Sequence, residues 1–322
     1  MPSWGLPSFL IFCLSFNAFA FQKTNYTDYH KAVLVVEEYI TTEDYKQALS
    51  EIETIISSYD FVFLKEYKIA AQLALKVEDK PKAFQLLEKS IAAGWSLKQI
   101  KKERFLKPLT TSNHWASLVK KNLAMNQSYE NKLNLDLQEV TKAMYKKDQK
   151  MAWKYLFRIG QKAKERFANK KVKPHALEQM KKLDSIIKVQ GYPGEKLIDE
   201  PEWMSTILSH HNSVSDNFVK NDTLFDAMRP QLLKAITKGE LNPYEFAMIE
   251  DWRIAITSDR QKTGYGYLEY LKPEEISASD TLRKQLGIRS VGLRNQLVDI
   301  QEKTGMNFYL AGAGWVDGKI GE

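Results

Sequence analysis

Residues 44–56, DYKQALSEIETII, written over residues 79–91, DKPKAFQLLEKSI, coincide at an offset of 35: Asp44 falls on Asp79, Ala48 on Ala83, Ile52 on Leu87, Glu53 on Glu88 and Ile56 on Ile91. Self-similarity at a period of a few tens of residues is a strong constraint, because each copy must be one supersecondary unit that buries its apolar face against the next. Within each copy the apolar residues recur every three or four positions, which predicts a helix with one apolar face. Ala48 and Ala83 are small where two helices of a hairpin approach most closely, and the larger apolar residues that follow face the neighbour. The preceding stretch matches at the same offset, with Leu34 on Ile69 and Val36 on Ala71, so the repeating unit is a pair of helices.

A helix pair at this period resembles the tetratricopeptide repeat. After the second copy comes AAGWSLKQIKKERFLKPLTTSNHWASLVKK, residues 92–121. Its apolar residues Trp95, Leu97, Ile100, Phe105, Leu109, Trp115 and Leu118 are spaced for two short helices joined at Lys107-Pro108. It resembles the segment that closes bacterial tetratricopeptide arrays, and His114, beside Trp115, reads as part of that cap. The expectation for residues 25–125 is two repeats plus a cap.

The polar stretch NQSYEN, residues 126–131, is the candidate boundary to a second helical domain over residues 130–270. Helices are expected through Leu133, Leu137, Val140 and Met144 and again from Ala176 to Val189, before Gly191-Tyr192-Pro193-Gly194 forces a turn. Asp199 and Pro201 then read as the capped start of the helix PEWMSTILSHH. On it Met204, Ile207, Leu208 and His211 share one face, with His210 at its edge. Neighbours on a helix diverge by about 100°, so His210 and His211 cannot chelate one ion, and no HExxH pattern is present. Neither a metal site nor a cofactor motif is expected. The two histidines are candidates either for a hydrogen-bonded core edge or for a catalytic base.

In IEDWRIAITSDRQKTGYGYLEYL, residues 249–271, Asp251 and Arg253, then Asp259 and Arg260, then Tyr265 within Gly-Tyr-Gly-Tyr are candidates for a polar site, with Arg253 and Arg260 as an anion clamp. Asp and Arg at helix ends are equally expected as caps and surface pairs. Residues 271–322 read as a C-terminal extension: a helix over 293–303 stopped by Gly305, an extended piece from Met306 to Leu310 and a Gly-rich end, hence a small mixed α/β tail. Ala311-Gly312-Ala313-Gly314 lacks the following Lys-Ser or Lys-Thr of a phosphate loop.

In order, Lys147-Asp148-Gln149, Gly191-Tyr192-Pro193-Gly194, His210-His211 and an Asp element ahead of a Tyr-Gly resemble a bacterial domain family of unknown function over residues 130–270. The chain departs from that pattern at Asp251-Trp252-Arg253 and Gly264-Tyr265-Gly266-Tyr267, where the family has an Asp-Arg pair and a Gln-x-Tyr-Gly-Thr-Gln ending. Repeats followed by this domain resemble exported proteins of the Bacteroidetes group, and the resemblance supplies no activity.

The first 22 residues carry no charged side chain, and the apolar run Phe9 to Phe16 is followed by Ala18-Phe19-Ala20. Residues 1–20 therefore read as a secretory signal, the alternative being an uncleaved anchor, since no Lys or Arg precedes the run. Export to the periplasm or beyond is the expectation, and the single cysteine, Cys13, would leave with the signal. The net charge of +7 then lies on the remainder, clustered in residues 98–107 and 161–175 without the interleaved aromatics that base stacking needs. Nucleic acid is not an expected partner; an anionic envelope surface is the candidate if the charge binds anything. The expected function is protein or peptide binding through the repeat surface, as a scaffold in the envelope. The alternative is a hydrolase-like enzyme using His210 or His211 with Asp251 and Arg253.

Overall fold

The computed structural model describes residues 25–312 and 318–321. The leader reading of residues 1–20, with Cys13, lies outside the described residues, as do Ala313 and Gly314.

The 35-residue offset becomes two antiparallel helix pairs: α1 (Tyr26–Thr41) with α2 (Tyr45–Ser58), and α3 (Leu64–Lys76) with α4 (Lys80–Ile91). Equivalent positions do equivalent work. The Asp44 carboxylate accepts the Gln47 N–H at 3.1 Å and Asp79 accepts that of Lys82 at 3.0 Å, each capping the second helix of its pair. The residues before them, Glu43 and Glu78, both take left-handed backbone, at φ 59° and 64°, to turn the chain. Ala48 and Ala83 are fully buried at the helix crossings. Past α4 come α5 (Leu97–Ile100), closed by a Ser96/Gln99 capping box, a short 3-10 turn, α6 (Lys107–Thr110) and α7 (Asn113–Glu130). Trp95, Ile100, Leu109, Trp115 and Leu118 seal the open face of the second pair, and His114 lies against Phe84. α7 runs straight through the polar stretch at 126–130, so the helix breaks only at residues 131–134.

The chain continues through α8 (Leu135–Leu156), α9 (Gln161–Phe167), a π-turn, α10 (Lys173–Gln190), α11 (Glu195–Ile198), α12 (Pro201–His211), α13 (Asp216–Lys220), α14 (Leu224–Thr237) and α15 (Pro243–Thr257), and a second core is drawn from all of these helices except α9 and α13. α12 is its axle, packing on α8, α10 and α15 through Met204, Ile207 and Leu208. Asp199 does not cap α12 as its spacing suggested. It closes α11 in left-handed backbone at φ 58°, and its carboxylate accepts the Tyr129 hydroxyl instead.

The C-terminal part returns to the first helix pair. α16 (Ile276–Leu286) leads to α17 (Val291–Thr304), which lies on α1. Leu297, Ile300, Met306 and Phe308 enter the same core as the repeat helices. The expected mixed α/β tail is not found: no strand occurs among the described residues, and 305–312 form neither helix nor strand. Met306 and Phe308 do alternate inward, which is the pattern that suggested a strand. No partner strand takes their backbone groups; side chains do. The Gln72 amide donates to the Asn307 carbonyl at 2.8 Å and accepts the Asn307 N–H at 2.7 Å, and Gln301 accepts the Phe308 N–H at 3.0 Å.

One ion pair ties the two ends of the chain. Arg289, 1% exposed, donates from Nε and Nη2 to the two oxygens of Glu37, 2% exposed, the Nε contact being 2.8 Å. Removing one partner strands a buried charge, whereas replacing both removes the desolvation cost as well. Arg289→Met should therefore lower stability by about 3–5 kcal/mol in urea unfolding, and Glu37→Leu/Arg289→Met should recover most of that loss.

Candidate functional site

Between the second helix pair and the second core lies a cleft of about 930 Å³. Leu64, Lys65 and Lys68 of α3 form one side, and Glu202, Ser205, Ser209 and His210 of α12 face them. Tyr244, Glu245 and Trp252 of α15 and the buried Arg289 line the depth, and Tyr309 and Gly312 come from the C-terminal return. Two of the non-glycine residues in left-handed backbone, Asp199 and Tyr309, sit on this cleft, a conformation that costs energy and concentrates at ligand sites.

The charge arrangement follows from which helix ends meet there. α3 has no side-chain cap of its own, and Glu195, 131 residues further on, supplies one: its Oε1 accepts the Leu64 N–H at 2.5 Å. A carboxylate at a helix N-terminus is favourable, yet burial pushes Glu195 up to about 7 despite that hydrogen bond, with Glu66 and Asp199 adding repulsion. Burial likewise raises Asp199, Glu200 and Glu66, and raises Glu245 furthest, helped by Glu195 and Glu202. Glu245 Oε2 is buried without a hydrogen-bond partner. Three cations stand against these acids. Arg289 is committed to Glu37, although its Nη1 has no partner; Lys65 lies 3.8 Å from Glu37 and 3.7 Å from Glu66; Lys68 sits over the rings of Trp95 and Tyr309. Desolvation lowers the Lys68 pKa.

The two adjacent histidines separate as helical geometry requires. His210, 38% exposed by its side chain, borders the cleft, and its Nδ1 lies 2.5 Å from Asp148 Oδ2 on α8. The other oxygen of Asp148 is 3.6 Å from Nε2 of the buried His175 on α10. Burial alone would raise Asp148, but the two imidazoles beside it, His210 in hydrogen-bond contact and His175 at longer range, prevail and hold it below the usual carboxylate range. His211 points the other way. Its Nε2 meets Asp222 Oδ2 at 3.0 Å, its ring edge packs on Phe218, and Asp222 also accepts the Leu224 and Phe225 N–H groups at the start of α14.

The remaining sequence candidates lie elsewhere. Asp251 is buried and accepts the N–H groups of Tyr265 and Tyr267 at 2.5 and 2.7 Å, so it organises the Gly264-Tyr265-Gly266-Tyr267 loop rather than a base at His210. Gly264, at φ +59°, is required there, since a Cβ would stand 2.5 Å from the Asp251 carboxylate. Burial pushes Asp251 up to about 7 against those two hydrogen bonds. Arg253 binds Asp226 and the Asp222 carbonyl, Asp259 pairs with Lys220, and Arg260 pairs with Glu269. Arg253 and Arg260 thus face separate carboxylates and do not converge as an anion clamp. Sequence reasoning found His210 but missed Asp148 as its partner, and it missed Glu195, Glu245, Lys65, Lys68 and Arg289 altogether. Only Glu195 carried a signal, as the residue following the Gly-Tyr-Pro-Gly turn.

No group of three or more His, Cys, Asp or Glu side chains is arranged to hold a metal ion among the described residues. Comparison with family models, with curated proteins and with solved structures gives no match to this chain.

His211→Ala removes a partner from the buried Asp222 and should lower stability by about 1–3 kcal/mol in chemical unfolding. His210→Ala, at the half-open end of the cleft, should cost less than half as much. Equal losses would show that the two imidazoles are equally structural.

Proposed function

We propose that the chain is a binding module whose ligand is a peptide segment bearing a lysine or arginine side chain, held in the cleft between tetratricopeptide-type hairpins and the second helical core. The observation that carries this reading is Glu245 Oε2, a buried carboxyl oxygen without a partner in a wall that also holds Glu195, Asp199, Glu200 and Glu202. Burying a carboxyl without a partner is unfavourable, and an entering ammonium or guanidinium group removes that penalty by ionising and pairing the acids. Tyr244, Trp252 and Tyr309 offer apolar and cation-attracting faces for the stem of such a side chain. The repeat helix α3 contributes one wall, in keeping with binding through the repeat surface. The apolar leader pattern of residues 1–20 supports placing this activity in the cell envelope.

A hydrolase-like second reading is favoured by one feature, the His210–Asp148 pair at the cleft. An Asp on Nδ1 orients an imidazole and leaves Nε2 to accept a proton, with Ser205 and Ser209 on the same wall. Hydrolysis of a bound lysine peptide that disappears in His210→Gln, with binding retained, would favour it.

The binding reading has a pH signature. Glu195, with its pKa near 7, is protonated below that value and charged above it, so affinity for a cation rises with pH through this range. A capped lysine tripeptide, followed by calorimetry, should bind more tightly at about pH 8 than at about pH 6, and its norleucine counterpart should show no such gain. Glu245→Gln should weaken that binding while stabilising the free protein above about pH 5. The sign follows from the raised folded-state pKa of Glu245: its contribution is present below the unfolded pKa and is lost as pH rises, and Gln removes that loss. No binding at either pH, or a Glu245→Gln protein that binds normally, would overturn the proposal.

A further inference from the structure

The end of α8 and the start of α9 form a hairpin tip that the second core leaves uncovered. Leu156, Phe157 and Ile159 are 61%, 76% and 93% exposed, and Trp153, stacked on Phe157, is also exposed. The other exposed large apolar residues lie singly or, as Val119 and Leu123 on α7, in a pair one turn apart. Here four lie within seven positions, across the turn from α8 to Gly160. The same stretch is strongly basic. Residues 150–173 carry nine Lys and Arg against one acid, Glu165. None of the nine forms an ion pair with a carboxylate among the described residues, and Glu165 is engaged by Gln161.

From this juxtaposition we infer that the tip between α8 and α9 is a membrane-docking element, whose occupant is the headgroup and upper acyl region of an anionic lipid bilayer. The charge is complementary to such a surface, which attracts clustered Lys and Arg within a Debye length. The apolar content decides between lipid and other polyanions. A duplex nucleic acid or an acidic protein would be met by the lysines alone, and the aliphatic Leu156 and Ile159 would gain nothing against any polyanion, whereas at a bilayer Leu156, Phe157 and Ile159 enter the acyl boundary and Trp153 takes its favoured interfacial position. Lys150, Lys154 and Arg158, on the same turns, are long enough to keep their charges at headgroup level. No helix among the described residues is long and apolar enough to cross a membrane, so this contact is a surface one.

The test is sedimentation of the full chain with vesicles of phosphatidylcholine alone and of an equimolar mixture with phosphatidylglycerol. Binding should be stronger to the mixed vesicles and should weaken with added salt. Phe157→Asp and Ile159→Asp should each reduce partitioning about tenfold or more, and Lys154→Glu by roughly fivefold or more. Because all three side chains are exposed, the variants should keep the wild-type circular dichroism, and Ile159→Ser serves as a second, uncharged change at the tip. Quenching of Trp153 by brominated lipid, measured as the difference from Trp153→Phe, should accompany binding. The inference is overturned if the tip variants partition like the wild type, or if neutral and mixed vesicles bind equally. It is also overturned if duplex DNA is retained through the lysines, unaffected by Phe157→Asp, while vesicles are not bound.

Discussion

The buried pair between Glu37 and Arg289 sets the geometry on which the rest depends. Glu37 belongs to the first repeat helix and Arg289 to the turn between α16 and α17, so a contact spanning 252 residues fixes the C-terminal helices against the first hairpin. A buried ion pair is a weak source of net stability, because desolvation consumes most of the attraction. Its effect is to specify one arrangement, since any other docking of α17 leaves a guanidinium or a carboxylate unpaired in the interior. The Tyr244 ring lies 4.6 Å from the Arg289 guanidinium, and Lys65 approaches both Tyr244 and Glu37, so the pair also assembles the deep end of the cleft.

Around that anchor the cleft holds buried polar atoms that no protein group satisfies. Glu195 caps α3 and is thereby useful to the fold, but Glu245 Oε2 and Arg289 Nη1 are buried without partners. Each such atom carries a desolvation penalty that a water or an apolar replacement would relieve. They lie beside Asp199 and Tyr309, so the cleft combines unsatisfied polar atoms with left-handed backbone.

The repeat pairs were legible in the sequence because their determinants are local and duplicated: Asp44 and Asp79 as caps, Ala48 and Ala83 at the crossings, and an apolar face at helical spacing. The same locality made the divergence of His210 and His211 readable. The cleft was hidden because every contact that makes it is long-range. Leu64 meets Glu195 and Gln72 meets Asn307 only once the chain has returned on itself, and no spacing rule links such residues. One misreading and one displaced helix end have physical causes. Met306 and Phe308 alternate inward as a strand would, yet their neighbours' backbone groups are satisfied by glutamine side chains. The polar run at 126–130 suggested a break because its composition is that of a loop, but α7, anchored by Trp115 and Leu118 near its start, is also held at its far end by the Tyr129 hydroxyl on Asp199.

The chain is basic as a whole while its cleft is lined by more carboxyl groups than cations, and this bears on how a ligand would be selected. The chain as a whole is at +7, with nine cations gathered between residues 150 and 173, so a lysine-bearing ligand approaching from a distance gains nothing from long-range attraction. Screening limits that field to about 8–10 Å in physiological salt. Inside the cleft the carboxyls of Glu195, Asp199, Glu200, Glu202 and Glu245 outnumber Lys65, Lys68 and Arg289, and the low-dielectric walls make each contact stronger than it would be in water. Recognition would then reside in the lifetime of the bound complex rather than in the rate of encounter, because the energy is released only when the acids ionise against the ligand. On the two proposals above, the basic stretch at 150–173 and the acid-lined cleft would serve separate tasks, the one meeting an anionic surface and the other accepting a cation where the buried Glu245 Oε2 lacks a partner.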